Sequence, residues 1–187
     1  GGGIHRAQQA MALVEAGADR IVMNSAAIDQ PSCVAELVQL LGQQSVVVMM
    51  DVVCVAGNYV VYDYRAAAPT NMSALTHCQQ MQRLGVGEVV VQVVERDGCG
   101  NGFETALYEQ LRQHLHIGLI ASSGYGQPSH IHEVFKTGVE GVALGNALHY
   151  REHSVSQIKA ALRSAAEGSA IDGRVRQCAW LNKQLVE

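Results

Sequence analysis

The sequence GGGIHRAQQAMALVEAGADRIVMNSAA, residues 1–27, has a partial copy 121 positions later in SSGYGQPSHIHEVFKTGVEGVALGNAL, residues 122–148. In each copy a glycine-rich turn precedes a helix that ends at a glycine, and a short apolar strand and a small polar pair follow. The ungapped alignment pairs Gly3 with Gly124, Gly17 with Gly138, Asn24 with Gly145, Ser25 with Asn146 and Ala26 with Ala147. The spacing therefore indicates two related structural units in one chain.

The two glycine-rich turns are candidate anion sites, because backbone amides in such turns and at helix N-termini bind phosphate. A single copy would be explained better by glycines that only end helices or form turns. Matched spacing in two copies favours the anion sites. The repeat thus predicts a ligand that carries a phosphate at each end.

The composition is that of one globular domain. The 187 residues are 48% hydrophobic and 16% charged, which suffices for a substantial core. The formal net charge is −4 and no block of lysine or arginine occurs, so we expect no nucleic-acid partner. No signal peptide opens the chain, no apolar run approaches the ~18 residues of a membrane span, and the five cysteines contain no CxxC pair. These features predict a soluble, cytoplasmic protein without a membrane partner or a disulfide framework.

Apolar runs alternate with helical patterns along the chain. Five runs are expected to be strands, which end near residues 24, 51, 94, 121 and 144. The alternation predicts a parallel α/β sheet with crossover helices, and polar residues at the carboxyl ends of the strands predict a TIM (β/α)₈ barrel. A complete barrel takes roughly 200–250 residues, so we expect one that is incomplete at its amino end. Residues 1–166 would form the barrel domain, and residues 167–187 a tail or short helix.

Asp51 is the candidate proton-transfer residue. It ends the run Gln44–Asp51, whose apolar character is typical of a strand buried on both faces. A carboxylate in that place is partly desolvated, which raises its pKa and suits general acid–base chemistry. The alternative is that Asp51 caps a helix or pairs with a lysine or arginine. Beyond it, residues 55–64 predict a hairpin arm that turns at Gly57-Asn58, and Pro69 is expected ahead of a helix at about 72–84.

Seven motifs carry a family resemblance. They are Gly1-Gly-Gly-Ile4, Glu15-Ala-Gly-Ala-Asp-Arg20, Asn24-Ser-Ala-Ala-Ile28, Val47-Val-Met-Met-Asp51, Gly85-Val-Gly-Glu88, Arg96-Asp-Gly98 and Ile120-Ala-Ser-Ser-Gly124. Together they resemble the cyclase subunit of imidazole glycerol phosphate synthase, the HisF family, almost without gaps from residue 1 to about 160. The sister sugar-phosphate isomerase usually has a Gly-Thr pair in place of Asn24-Ser25, so the cyclase is the better match.

The resemblance implies a (β/α)₈ barrel that lacks its first two to three β/α units. With ammonia from a partner glutaminase, this family converts a bis-phosphorylated ribonucleotide into imidazole glycerol phosphate and an aminoimidazole carboxamide ribotide. Asp51 would be the catalytic aspartate of the fifth strand, and the aspartate of the first strand has no counterpart in this chain. We expect neither a cofactor nor a metal.

Further site residues carry over from the same resemblance. One phosphate would be held by Gly3, Asn24 and Ser25, and the other by Asp97, Gly98, Ser123, Gly124, Gly145 and Asn146. The ammonia gate and the partner face would include Asp19, Arg20 and Glu88. For these three charged residues the alternative is ordinary solvated charge at the starts of strands.

Several positions depart from the usual family residues. Val53 replaces a lysine, Gln92 a threonine, Glu95 an aspartate, Ser123 a glycine and Asn146 a serine. Loss of the lysine removes positive charge near an anionic ligand. Two alternatives therefore stay open: a HisF paralogue that channels ammonia in surface-polysaccharide amino-sugar synthesis, and a non-catalytic, degenerate barrel fragment.

Overall fold

The computed structural model describes residues 1–150 and 154–165. The helices are α1 (Ala7–Glu15), α2 (Ser25–Asp29), α3 (Pro31–Leu41), α4 (Ala74–Arg83), α5 (Thr105–Arg112), α6 (Pro128–Lys136), α7 (Asn146–Tyr150) and α8 (Val155–Ala165). The strands are β1 (Ile21–Met23), β2 (Val46–Val55), β3 (Asn58–Asp63), β4 (Ala68–Ser73), β5 (Glu88–Val93), β6 (Gly118–Ser122) and β7 (Gly141–Ala143). The predicted tail, residues 167–187, lies outside the described residues.

Five of the strands form a parallel sheet in the order β1-β2-β5-β6-β7. Helices connect these strands, as the alternating pattern predicts. Val52 of β2 pairs with Val93 on one side and with Val61 of β3 on the other, so β3 and β1 share one edge of β2. Within the described residues the sheet does not close. The prediction of an α/β fold of the incomplete-barrel type is confirmed.

The internal repeat is present in the structure with the spacing read from the sequence. Helix α1 and helix α6 occupy equivalent positions 121 residues apart, and so do the short helices α2 and α7. Gly17 and Gly138, which follow α1 and α6, have φ angles of 100° and 91°. Only glycine adopts this left-handed conformation readily, so both helices end for the same reason. Helices α2 and α7 were not predicted, because five residues are too few to show a helical period.

The predicted arm is larger than a hairpin. Strand β2 continues past Asp51 as far as Val55, and the turn falls at Ala56-Gly57, where φ is 49° and 80°. These angles suit the two-residue turn that joins twisted antiparallel strands, so the predicted turn at Gly57-Asn58 was one residue too late. Strand β4, which contains Pro69, forms a third antiparallel strand that was not predicted. Proline is tolerated there because β4 lies at the edge of the arm.

The core lies on both faces of the sheet. In β2, Val46, Val48, Met50 and Val52 on one face are at most 1% exposed, and on the other face Val47 and Val53 are 4% and 8% exposed. The strand is therefore covered on both sides, as expected. Tyr108 of α5 is fully buried, and its hydroxyl lies 2.9 Å from the Val91 carbonyl oxygen and 3.2 Å from the Ser122 amide nitrogen. The hydroxyl therefore joins the ends of β5 and β6. No helix among the described residues is long and apolar enough to cross a membrane.

One buried histidine should make the stability of the fold depend on pH. His77 of α4 is 1% exposed, and neither ring nitrogen has a hydrogen-bond partner among the described residues. Burial lowers the pKa of His77 to about 4, whereas an unfolded histidine titrates near 6.5. Between these values the unfolded chain binds more protons, so the free energy of unfolding falls by about 3 kcal/mol as the pH drops from ~6.5 to ~4.

The variant His77→Leu should lose this share of the acid sensitivity, because leucine cannot be protonated. Urea unfolding at pH 7, 5.5 and 4.5 measures the effect, and His5→Gln, a change at an exposed histidine, is the matched control. Equal acid sensitivity in the wild type and His77→Leu would contradict the assignment.

Candidate functional site

Asp51 is a buried carboxylate in β2, close to the carboxyl ends of the parallel strands. It is 2% exposed, and its Oδ2 accepts a hydrogen bond of 2.7 Å from Asn24 Nδ2. Burial raises the pKa of Asp51, the Asn24 hydrogen bond opposes the rise, and the negative charge of Asp97 adds to it. Among the described residues no lysine or arginine pairs with Asp51. The structure therefore argues against the ion-pair alternative. The raised pKa means that Asp51 loses its proton at a higher pH than an ordinary aspartate does.

A row of residues leads from Asp51 across the sheet. The strand register places Asp51 beside Gln92, Gln92 beside Ser122, and Ser122 beside Ala143. Residues in register on neighbouring parallel strands project from the same face of the sheet. The Ser122 hydroxyl lies 3.5 Å from Gln92 Oε1. Gln92 thus lies between Asp51 and the space beyond β6.

That space is a cavity of about 290 Å³. Its lining consists of Gln92, Asp97, Gly98, Ser122, Ser123, Gly124, Tyr125, Ala143, Leu144, Gly145, Asn146 and Ala147. The volume is near the lower end of the range for small-molecule sites. All six residues predicted for the second phosphate line this one cavity, so the structure brings together residues that are up to 49 positions apart in the sequence.

The turn after β6 is held in a conformation that places polar groups in the cavity. Ser123 has a φ of 73°, is 9% exposed, and its hydroxyl has no hydrogen-bond partner among the described residues. Gly124 has a φ of 96°, and a Cβ there would lie 2.2 Å from the Gly102 carbonyl oxygen. The Gly102 amide donates to the Gly124 carbonyl at 2.8 Å. Glycine is required at position 124 because the two loops touch through their backbones.

The residues predicted for the first phosphate lie at the same end of the sheet. Asn24 and Ser25 follow β1, and both are half-buried. Gly3 is exposed, with a φ of 66° and open space around the position of a Cβ. The Asn24 side-chain amide is hydrogen-bonded to Asp51, so it orients the carboxylate in this structure. Because β1 and β7 are parallel, both predicted phosphate sites face the end of the sheet that carries Asp51.

Comparison with known proteins decides the family. A family model described as histidine biosynthesis protein matches residues 1–154 of the chain. The chain belongs to the histidine biosynthesis protein family. This result confirms the family resemblance, and the (β/α) strand and helix order is the one expected of that family.

Curated relatives agree with this family assignment. The chain is 32% identical over 159 residues to the imidazole glycerol phosphate synthase subunit HisF of Thermococcus gammatolerans, covering 85% of this chain and 63% of the relative. It is 34% identical over 164 residues to the HisF subunit of Chlorobaculum parvum, covering 87% and 65%. For the HisF subunit of Thermotoga sp. strain RQ2 the identity is 31% over 173 residues, covering 92% and 68%. The chain thus spans about two thirds of the length of these relatives.

The predicted gate residues of this family member lie at the opposite end of the sheet. Arg20 directly precedes β1 and Glu88 begins β5, and their side chains form an ion pair. Strand β2 lies between β1 and β5, so Arg20 reaches across the start of β2. Asp19 is exposed beside them. The structure therefore places Arg20 and Glu88 in contact, at the amino ends of the strands, with Asp19 next in sequence.

One contact of the arm in this histidine biosynthesis protein has no signal in the sequence. Arg65 pairs with Asp63 beside it and with Asp29 at the end of α2. The contact with Asp29 does not follow from a local pattern, because the two residues are 36 positions apart in the chain.

Proposed function

We propose that the chain provides the cyclase chemistry of imidazole glycerol phosphate synthase. In this reaction ammonia and a bis-phosphorylated ribonucleotide give imidazole glycerol phosphate and an aminoimidazole carboxamide ribotide. The observation that carries the proposal is the placement of the buried Asp51 in one row with the cavity lined by all six predicted phosphate residues. Membership of the histidine biosynthesis protein family supports the same reaction.

In this proposal Asp51 transfers protons as the imidazole ring forms. Ring closure with ammonia requires proton movement to and from nitrogen and oxygen atoms, and a carboxyl group with a raised pKa serves this purpose near neutral pH. The amide of Asn24 holds one carboxyl oxygen, which leaves the other free for the ligand. Gln92 occupies the position between the carboxyl group and the cavity.

The cavity would bind one phosphate of the substrate. The left-handed turn at Ser123-Gly124 and the glycine-rich segment at Gly98 supply backbone amides, which bind anions when they converge. The Ser123 hydroxyl adds a buried donor that has no partner within the described residues. Replacement of the family's glycine by serine therefore substitutes a side-chain donor for a close backbone approach.

We expect Ser123→Ala to weaken the binding of inorganic phosphate by about 5–10-fold, the value of one hydrogen bond of roughly 1–1.4 kcal/mol. Calorimetric titration of the wild type and the variant measures this change. Ser32→Ala, which removes an exposed hydroxyl in α3, should bind phosphate as the wild type does. Equal affinity in all three proteins would remove Ser123 from the phosphate site.

A glutaminase is the proposed partner, at the amino ends of the strands. Arg20, Glu88 and Asp19 offer charges of both signs on an accessible surface, opposite the end that carries Asp51. Ammonia released by the partner would enter there and travel between the strands toward Asp51. Such a route would keep the ammonia away from bulk solvent until it meets the bound ribonucleotide.

The decisive experiment is a turnover assay. The bis-phosphorylated ribonucleotide and ammonium are added, and product formation is followed by absorbance, first with the chain alone and then with a polypeptide that supplies a first-strand aspartate. We expect turnover in the second mixture. No turnover together with micromolar binding of the ribonucleotide would contradict the catalytic role but exclude the polysaccharide paralogue. Absence of phosphate binding would favour the non-catalytic scaffold.

A further inference from the structure

Glu95 attaches the antiparallel arm, residues 52–73, to the loop that follows β5. The parallel pairing of β2 with β5 ends where Val52 lies beside Val93, although β2 itself continues. After Val93 the chain turns into a short 3₁₀ helix, so the backbone pairing stops there. The Glu95 side chain extends the connection, because its Oε1 accepts a hydrogen bond of 2.9 Å from the Cys54 amide nitrogen.

This contact requires the full length of a glutamate side chain. Position 95 is one of the departures from the usual family residues, which have an aspartate there. An aspartate on the same backbone would be shorter by one carbon–carbon bond, about 1.5 Å. The distance to the Cys54 amide would then exceed the limit for a hydrogen bond. The attachment of the arm therefore depends on the residue that departs from the family.

The backbone around Glu95 leads directly into the wall of the cavity. Asp97 and Gly98, two residues of the cavity lining, follow it in sequence. Hydrogen bonds keep this segment compact, since the Asp97 amide donates to the Val94 carbonyl at 3.2 Å and the Cys99 thiol donates to the Glu95 carbonyl at 3.1 Å. A ligand that fixes Gly98 would therefore also fix Glu95.

Arg65, in the turn between β3 and β4, makes the other attachment of the arm. Its Nη2 donates to Asp29 Oδ1 at 2.9 Å, and Asp29 is the last residue of α2. The same helix begins at Ser25, a residue predicted for the first phosphate. Strand β3, which lies between the two attachments, has six residues and is about 20 Å long. The arm thus connects the segment of one predicted phosphate site with that of the other.

We propose that the arm couples the two predicted phosphate sites, with Glu95 and Arg65 as the positioning residues at its two attachments. This inference rests on the proposed function, because it concerns the same two sites. A phosphate held at Gly98 restricts the loop, the loop restricts the arm through Glu95, and the arm restricts α2 through Arg65. A ligand with a phosphate at each end then loses the conformational freedom of these segments only once.

Hydrogen exchange of the full chain, with and without inorganic phosphate, tests the coupling. Backbone amides exchange when a segment opens locally, so a segment that becomes more ordered exchanges more slowly. In the wild type, phosphate should slow exchange by about 5-fold both in the loop at 97–102 and in the arm at 58–63. The loop reports binding itself, and the arm reports the coupling.

The variants interrupt the coupling at its two attachments. Glu95 and Arg65 are exposed, so the core is unchanged in the double variant Glu95→Ala, Arg65→Gln. Phosphate should still slow exchange at 97–102 in this variant but should no longer slow it at 58–63, and each single variant should lose part of the effect. Glu95→Gln keeps an acceptor oxygen with the same reach and should behave as the wild type. Glu109→Ala, a change at an exposed acid of α5, is the matched control.

Calorimetric titration with inorganic phosphate gives a second measurement. In the wild type, occupancy of one site should raise the affinity of the other by about 5-fold, the lower end of the usual range for coupled sites. In the double variant the two sites should bind independently.

The outcomes separate this inference from the proposed function. Slowed exchange at 97–102 without any change at 58–63 in the wild type would overturn the coupling while phosphate binding stands, and so would independent sites in the wild type. An arm that is slowed equally in the double variant would overturn the roles of Glu95 and Arg65. If phosphate slows exchange at neither predicted site and calorimetry detects no binding, the phosphate sites themselves fail, and the inference falls with them.

Discussion

Replacement of Asp51 by asparagine should reduce the cyclase rate by about 10²–10⁴-fold, the usual contribution of a general acid or base. Asparagine has nearly the same shape and can still accept a hydrogen bond from Asn24, so the geometry of the site is kept. It cannot transfer a proton at any pH of the assay. The rate is measured by product absorbance under the turnover conditions described above, with the complementing polypeptide present.

The same variant makes a second, independent prediction about stability. Burial raises the pKa of Asp51, so the folded chain binds this proton more tightly than the unfolded chain does. The stability that follows from the tighter binding is present below the unfolded pKa and is lost as the pH rises through the folded pKa, because the buried ionised carboxylate opposes folding. Asp51→Asn should therefore be at least as stable as the wild type at pH 7. A variant that is both slow and unstable would indicate that Asp51 serves the fold, whereas a slow and stable one supports proton transfer.

Replacement of Gly124 by alanine should lower the free energy of unfolding by about 2–4 kcal/mol. Two effects combine. The φ of 96° is strained for any residue with a Cβ, and that Cβ would lie 2.2 Å from the Gly102 carbonyl oxygen. Relief requires the two loops to separate, which breaks the backbone hydrogen bond between Gly102 and Gly124. Phosphate binding should be lost as well, because the cavity wall moves.

Urea unfolding of Gly124→Ala measures the loss, with Gly141→Ala as the control. At Gly141 the nearest atom to an added Cβ is Ile120 Cγ1, at 3.7 Å, which is an ordinary contact. The control should therefore stay within about 0.5 kcal/mol of the wild type. Equal urea midpoints for the two variants would contradict the prediction, because they would mean that the 98–102 loop moves away from residue 124 with little loss of stability.

The sequence predicts most of the scaffold, because the scaffold depends on local patterns. Apolar runs mark the five parallel strands, and glycines mark the helix ends at Gly17 and Gly138. The residues of the cavity follow from glycine-rich turns at the carboxyl ends of strands, together with a family resemblance. The tail at 167–187 and the roles of the site residues stay predictions.

The arm shows where local patterns fail. Strand β4 contains Pro69, which a sequence pattern associates with a helix start or a turn, and only its pairing with β3 stabilises it as a strand. The arm also contacts the end of α2 through the ion pair between Arg65 and Asp29, residues 36 positions apart, and no local pattern predicts this contact. The burial of His77 in α4, where the side chain is 1% exposed, is likewise not predicted by a local pattern.

Helices α1 and α6 begin and end at positions 121 residues apart, so the molecule contains the same helix-ending turn twice. Each substitution made after α1, such as one at Gly17, has a twin at Gly138 in the same backbone conformation but with different neighbours. Any difference between the twins then measures the surroundings alone, since the intrinsic conformational term cancels. The free energies of unfolding of the two variants can therefore be compared within one protein to separate the effect of neighbouring residues from the conformational cost of a residue other than glycine at a helix end.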